Sequence, residues 1–228
     1  MNATTLSEIQ LKGIKTLKTL YRPVGLTEMK LILDLNLKGF PPRLPEQPIF
    51  YPVLNKAYAD QIAYEWNTRD KFSGFVGFVT EFDIYSPFID KYEEQIVGSA
   101  RHNELWIPAE ELDELNNNIV GHIRMVDVFY GTYYEGFTPE LSIFEGKNLV
   151  EQFKIWKEIL DNNSMDFYCE LKEYWKYIFM NYKLWHDIDF NEFGINDLDK
   201  KEVLMTMNKF WKDHFPEIRL FAGISEKD

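Results

Sequence analysis

The chain has one cysteine, Cys169, and no long hydrophobic run. A single cysteine excludes an intramolecular disulfide, so a secreted, disulfide-stabilised scaffold is not expected. Residues 1–5 lack the basic start and apolar core of a signal peptide, and no segment reaches the apolar length of a membrane span. These absences predict a cytoplasmic protein without a membrane segment. Cys169 lies in an aromatic-rich stretch, where a small buried side chain is expected rather than a nucleophile.

Basic residues are scarce relative to acidic ones. The 228 residues include 25 Lys and Arg against 37 Asp and Glu, which gives a formal net charge of −12. This charge argues against a broad nucleic-acid footprint, because duplex binding requires many cationic side chains near phosphates, while a local basic cleft is still compatible with it. Solubility explains such acidity, and an acidic surface that holds a basic partner protein remains the alternative.

Several motifs that carry chemistry are missing. The four histidines show no metal-ligand spacing with each other or with the cysteine, so no metal site is predicted. There is no Gly-x-Ser-x-Gly elbow for a Ser-His-Asp hydrolase and no glycine-rich phosphate loop. Zinc chemistry, serine hydrolysis and P-loop nucleotide binding are thus unsupported.

The first half of the chain reads as strands with short helices between them. Residues 74–84 alternate between two faces, one clearly apolar, as a strand does. Asn55 is placed to cap a helix over residues 56–67, in which Tyr58, Ile62 and Trp66 recur at helical spacing. We therefore predict an α+β domain over residues 1–140.

Beyond Gly146 the composition changes, and aromatic side chains recur at helical spacing. A stripe that steps by three or four residues is typical of the buried face of a helix. Its members are Phe167, Leu171, Trp175, Ile178, Tyr182 and Trp185. We predict an aromatic-rich helical module over residues 147–228, with the stripe in its core.

One carboxylate occupies an unusual place. Glu104 begins a short apolar run that ends in proline, in the segment HNELWIP at residues 102–108. A strand that enters a core normally opens with a residue that packs, and burial of an unpaired charge costs several kcal/mol. Two interpretations remain open: a solvated Glu on the outer face, or a carboxylate held at the edge of a cleft.

The sequence ELWIP at residues 104–108 resembles the catalytic strand of mono-ADP-ribosyltransferases, and LYRPVG at residues 20–25 is similar to the first core strand of their Arg-Ser-Glu branch. Residues 20–130 also resemble small bacterial proteins labelled "ADP-ribosylation/crystallin J1". The resemblance implies a split sheet, mixed or antiparallel, that surrounds a cleft. It further implies NAD as substrate and a role as a toxin, effector or antiphage factor.

By this resemblance, Glu104 is the catalytic carboxylate and Arg22 grips a phosphate or ribose of NAD. Tyr51 or Tyr58 would stack on the nicotinamide ring, although core packing is the alternative for both. His102 lies two residues before Glu104, so both side chains are expected on one side of the strand. It is a candidate general base or a polar neighbour.

The family's Ser-Thr-Ser motif is absent, since FYPV stands at residues 50–53. Position 102 holds His where many arginine-modifying members carry Glu or Gln, so the acceptor, protein or nucleic acid, is left open. The leading hypothesis is an NAD-dependent mono-ADP-ribosyltransferase-like protein. The alternative is a catalytically silent binding protein, such as an antitoxin or immunity partner, that uses Glu110, Glu111, Asp113 and Glu114 to hold a basic protein.

Overall fold

The computed structural model describes residues 16–98 and 102–220 of the chain. These residues form seven strands: β1 (Leu17–Val24), β2 (Ile49–Phe50), β3 (Val76–Tyr85), β4 (Glu94–Ile96), β5 (Asn103–Leu105), β6 (Ile107–Pro108) and β7 (Ile119–Tyr130). They also form eight α-helices: α1 (Leu26–Asp34), α2 (Lys56–Glu65), α3 (Ser86–Ile89), α4 (Leu112–Asn118), α5 (Leu149–Asn162), α6 (Ser164–Glu173), α7 (Trp175–Asp187) and α8 (Asp197–His214). The predicted α+β class is confirmed, with small antiparallel sheets followed by helices.

The main sheet has three antiparallel strands in the order β1-β3-β7. β3 lies in the middle because its residues are apolar enough to be covered on both sides. Phe78 and Phe82 belong to the larger hydrophobic cluster, whereas Val79 belongs to a smaller one on the opposite face. Alternation along the strand thus gives each face its own core.

A second group of short strands continues from β1. Val53 forms a bridge to Tyr21 of β1 and another to Glu104 of β5, and β5 pairs with β4. Separately, β2 pairs with β6. All these pairings are antiparallel. Likeness of this arrangement to the split core of ADP-ribosyltransferases stays a prediction.

Helix α2 packs against the face of the sheet that carries Val79. It begins as predicted, because the Asn55 side chain accepts a hydrogen bond from the backbone N–H of Tyr58 at 2.8 Å. Gly77 of β3 lies directly below the helix: a Cβ added there would meet the carbonyl oxygen of Ala63 at 2.4 Å. Glycine at this position allows the helix backbone to touch the sheet.

The opposite face of the sheet and the C-terminal helices share one hydrophobic cluster, which runs from Leu20 to Leu220. Buried Asn181 of α7 joins the two halves of the chain. Its Nδ2 donates to the carbonyl of Phe137 (2.6 Å), and its Oδ1 accepts from the hydroxyl of Tyr134 (3.1 Å). The predicted boundary between residues 140 and 147 lies between β7 and α5. The hydrogen bonds of Asn181 connect the two sides of this boundary.

The predicted aromatic stripe lies on two consecutive helices, α6 and α7, which meet at Tyr174. Phe167 and Leu171 are buried on α6, as the stripe requires. Cys169 was expected to be buried and is exposed. The physical reason is its position: it lies two residues from each of the two buried side chains, and therefore on the other side of the helix.

No helix in residues 16–98 or 102–220 is long and apolar enough to cross a membrane.

Candidate functional site

Glu104 lies at the point where three strand segments meet. Its partner across the sheet on one side is Val53, and on the other side it is Gln95 of β4. Nε1 of Trp106 donates a hydrogen bond of 2.7 Å to Oε1 of Glu104. The side chain of Glu104 is half-buried, and Trp106 is 49% exposed. The carboxylate is thus held in one orientation and remains accessible from solvent.

His102 is fixed by three contacts. Its ring stacks on Tyr58 of α2, with the centroids 4.2 Å apart and the planes 8° from parallel. Its Nδ1 lies 3.1 Å from the carbonyl oxygen of Val97, and its Nε2 lies 3.1 Å from Oε1 of Gln61. A neutral imidazole can donate to one of these oxygens, whereas the imidazolium donates to both. His102 can act as a base only after one of these contacts opens.

Tyr58 is buried, and one face of its ring is covered by His102. Burial raises the pKa of the Tyr58 hydroxyl, and the negative charge of Glu104 raises it further. The structure therefore brings Tyr58, His102 and Glu104 together. The ring of Tyr58 packs against His102, and in this arrangement its covered face cannot stack on a ligand.

Tyr51 is the more accessible of the two tyrosines, with 37% of its surface exposed. Its ring meets that of Trp106 edge to face, at a centroid distance of 6.2 Å and an angle of 87°. Trp106 also binds Glu104, so one exposed ring contacts the carboxylate and the Tyr51 ring contacts that ring. Aromatic surfaces of this kind suit a planar ring of a ligand.

Arg22 lies on the other face of the sheet. Tyr21, the residue before Arg22 in β1, pairs with Val53, and Val53 pairs with Glu104, so these three side chains lie on one face of the sheet. Because successive side chains of a strand point to opposite faces, Arg22 points to the other face. The guanidinium of Arg22 binds both carboxylate oxygens of Glu28 at 3.1 Å and lies 4.8 Å above the ring of Phe50. The structure thus does not bring Arg22 and Glu104 together.

Arg43 shares Glu28 with Arg22. Its Nη1 lies 3.8 Å from Oε1 of Glu28, and its buried Nε has no hydrogen-bond partner among residues 16–98 and 102–220. Burial lowers the pKa of the Arg43 guanidinium, and the like charge of Arg22 lowers it further. Sequence reasoning missed Arg43, since a lone Arg in a proline-rich segment has no local signal.

A ladder of charged residues continues the row of Glu104 across the sheet. Tyr21 pairs with Glu81 of β3, and Glu81 pairs with Arg124 of β7. Arg124 donates to Glu81 from Nε (2.9 Å) and to Asp83 from Nη1 (2.9 Å). A groove of about 530 Å³ opens over these side chains, with Thr19 and the exposed Arg219 also on its walls.

Burial and contacts within this ladder shift the pKa values of Asp83 and Tyr21. Burial opposes ionisation of Asp83, but hydrogen bonds from Thr19 and Arg124 outweigh it and hold the Asp83 pKa below its ordinary value. Burial, together with Glu81, raises the pKa of Tyr21. Acidic residues at alternate positions 81 and 83 of a largely apolar strand were the available signal for this cluster.

The predicted acidic surface is partly neutralised within the chain. Lys91 lies 2.7 Å from Glu111 and 3.4 Å from Glu114, and the Tyr92 hydroxyl donates to Glu111 at 2.6 Å. Glu110 and Asp113 are exposed. The patch therefore presents less negative charge than its sequence suggests.

Among residues 16–98 and 102–220, no group of three or more His, Cys, Asp or Glu side chains is placed to hold a metal ion. Comparisons of the chain with protein-family models, with curated proteins and with solved structures find no match.

Proposed function

We propose that the protein is an NAD-dependent mono-ADP-ribosyltransferase-like enzyme with Glu104 as its catalytic carboxylate. The observation that carries the proposal is the hydrogen bond of 2.7 Å from Trp106 to Oε1 of Glu104. It leaves the second carboxylate oxygen for a substrate. A fixed carboxylate at an accessible edge, with the exposed ring of Tyr51 nearby, suits a substrate that has both a sugar and an aromatic ring.

In the proposed reaction, the bond between nicotinamide and ribose breaks, and nicotinamide leaves with the bonding electron pair. Positive charge develops on the ribose, as it does in glycoside hydrolysis, and Glu104 stabilises that charge. A nucleophile of the acceptor, a protein or a nucleic acid, then bonds to the same carbon and loses its proton. His102 is the candidate base for this proton, and the role requires its Nε2 to leave Gln61.

The test is nicotinamide release from labelled NAD, with and without cell lysate. Glu104→Gln keeps the size of the side chain and removes its charge, so release should fall at least about a hundredfold. Glu140→Gln, at an exposed position, is the matched control and should retain full activity. Equal melting temperatures would establish that both variants are folded. Undiminished release by Glu104→Gln would remove Glu104 as the catalyst.

The placement of Arg22 favours a second candidate, a catalytically silent binding protein such as an antitoxin or immunity partner. The Arg and Glu implied by the family resemblance lie on opposite faces of the sheet, and Arg22 is already paired with Glu28. In that case a basic protein would bind the acidic patch. Charge reversal at Glu110 and Asp113 should then weaken the complex, while NAD release is absent in every variant.

A further inference from the structure

A groove of about 720 Å³ beside β7 has a charge opposite to that of the whole chain. Its walls carry the cations Lys38 and Arg124, the imidazole of His122 and one carboxylate, that of Glu217. Two permanent cations thus face a single carboxylate in a protein whose formal net charge is −12. This groove is a local basic cleft of the kind that the overall composition leaves open.

Only part of this positive charge is available to a ligand. Arg124 is committed, since it donates to the two carboxylates of the ladder. Lys38 is exposed, and its ammonium forms no ion pair or hydrogen bond among residues 16–98 and 102–220. The side chain of His122 is 15% exposed, and its Nδ1 lies 3.7 Å from Oε2 of Glu217. Lys38 and His122 are therefore the groups that can receive an anion.

Two irregular stretches of backbone present these residues to the groove. The two residues before Lys38 have φ values of 53° and 59°, in the left-handed region that residues other than glycine rarely adopt. Gly121, just before His122, has a φ of 78° and lies in a bulge where three residues of β7 face one of β3. Bulges redirect nearby side chains. The N–H of Ile123 donates to the carbonyl of Leu37 at 2.7 Å, so the two stretches are joined.

The Glu217 carboxylate enters the groove but is weakly held there. Its side chain is 78% exposed, and its distance of 3.7 Å from His122 is too long for a hydrogen bond. Other residues fix the segment that carries it: the carbonyl of Ile218 accepts a hydrogen bond from Nε1 of Trp211 at 2.5 Å, and Leu220 is buried. The Glu217 side chain can therefore swing out while its backbone stays in place.

We propose that this groove binds a small molecule through a phosphate group, which Lys38 and His122 hold in place of the Glu217 carboxylate. A phosphate monoester carries a charge of about −1.5 to −2 and three acceptor oxygens, so it can satisfy both residues and outcompete a single carboxylate. The volume of the groove lies in the range of small-molecule sites. A nucleic-acid strand is not favoured, because two available cations cannot neutralise a long polyanion.

The groove is separate from the proposed catalytic carboxylate. Paired strand positions lead from Glu104 through Val53, Tyr21 and Glu81 to Arg124, so the groove lies at the far end of this row. The phosphate site can therefore be tested without reference to NAD.

The experiment measures binding of inorganic phosphate and pyrophosphate to the full chain by calorimetry, at constant ionic strength. Lys38→Gln and His122→Gln should each weaken binding about three- to thirtyfold, because a hydrogen bond to a charged group is lost. Glu217→Gln should instead strengthen binding about two- to tenfold, because the competing carboxylate is removed. Lys209→Gln, at an exposed position of α8, is the matched control and should bind as the wild type does.

Opposite effects on the two sides of the groove distinguish a site from general attraction between charges. Equal affinity in the wild type and in folded Lys38→Gln and His122→Gln would overturn the proposal, and so would absence of binding of both anions to the wild type. Equal weakening by Lys209→Gln would also overturn it. If His122→Gln does not fold, Lys38→Gln and Glu217→Gln decide, since both positions are exposed. None of these outcomes depends on nicotinamide release, which tests Glu104 separately.

Discussion

The two faces of the main sheet differ in what covers them. On one face, Leu20, Phe78 and Phe82 join a hydrophobic cluster that extends through the C-terminal helices. On the other face, α2 covers Val79 and its neighbours, while the ladder from Glu104 to Arg124 stays half-buried and polar. The difference indicates a division of roles. The apolar face supplies most of the stability, and the polar face presents side chains that can act on a ligand.

The largest effect is expected on the apolar face. Phe82 is fully buried, with its ring 5.0 Å from that of Phe40. Phe82→Ala should lower the free energy of unfolding by about 3–5 kcal/mol, because it removes apolar contact and leaves a cavity. Urea unfolding followed by circular dichroism measures this. A loss below about 1 kcal/mol would contradict the assignment of roles to the two faces.

A smaller loss is expected where the β-rich half meets the helices. Asn181→Ala removes the partner of the Phe137 carbonyl and of the buried Tyr134 hydroxyl, which should cost about 2–3 kcal/mol. Asn117→Ala, at an exposed position of α4, is the control and should change stability by less than about 0.5 kcal/mol.

Because one hydrophobic cluster spans both halves, the Asn181→Ala variant should still unfold in a single transition. Circular dichroism and tryptophan fluorescence should report the same midpoint. Two separated transitions would instead indicate that the helical region folds as an independent module.

The smallest effect is expected on the polar face. Arg124→Gln leaves Glu81 and Asp83 side by side without their cation and should cost about 1–2 kcal/mol at pH 7. Since the native pKa of Asp83 is lowered, its ion pair stabilises the fold above about pH 4, and this contribution is lost as the pH falls through the native pKa. The stability difference between wild type and variant should therefore shrink toward pH 3. A difference that grows with acid would show that Asp83 is not the relevant partner.

Local signals predicted a large part of the fold. Asn55 marks the start of α2, and the alternation of residues 74–84 identifies β3. Both features depend on neighbours in sequence, which is why they could be predicted. The exposure of Cys169 could have been anticipated as well, from its two-residue spacing to Phe167 and Leu171.

Less of the candidate site than of the fold could be predicted from the sequence. The strand of Glu104 was predicted, and so was the proximity of His102 to it, because the two are separated by two residues. Which face Arg22 occupies depends on the pairing of Tyr21 with Val53, a contact across 32 positions of the chain that no local rule specifies. The contact of Arg43 with Glu28 depends on how an irregular segment folds back over α1.

The contact between Gly77 and the carbonyl of Ala63 has a consequence for protein engineering. Two backbones determine how closely α2 approaches β3, and side-chain volume plays no part at that point. Glu104, His102 and Trp106 take no part in this backbone contact. Any side chain introduced at position 77 would instead push the helix outward and displace Tyr58, the support of His102, without altering a single residue of the site itself.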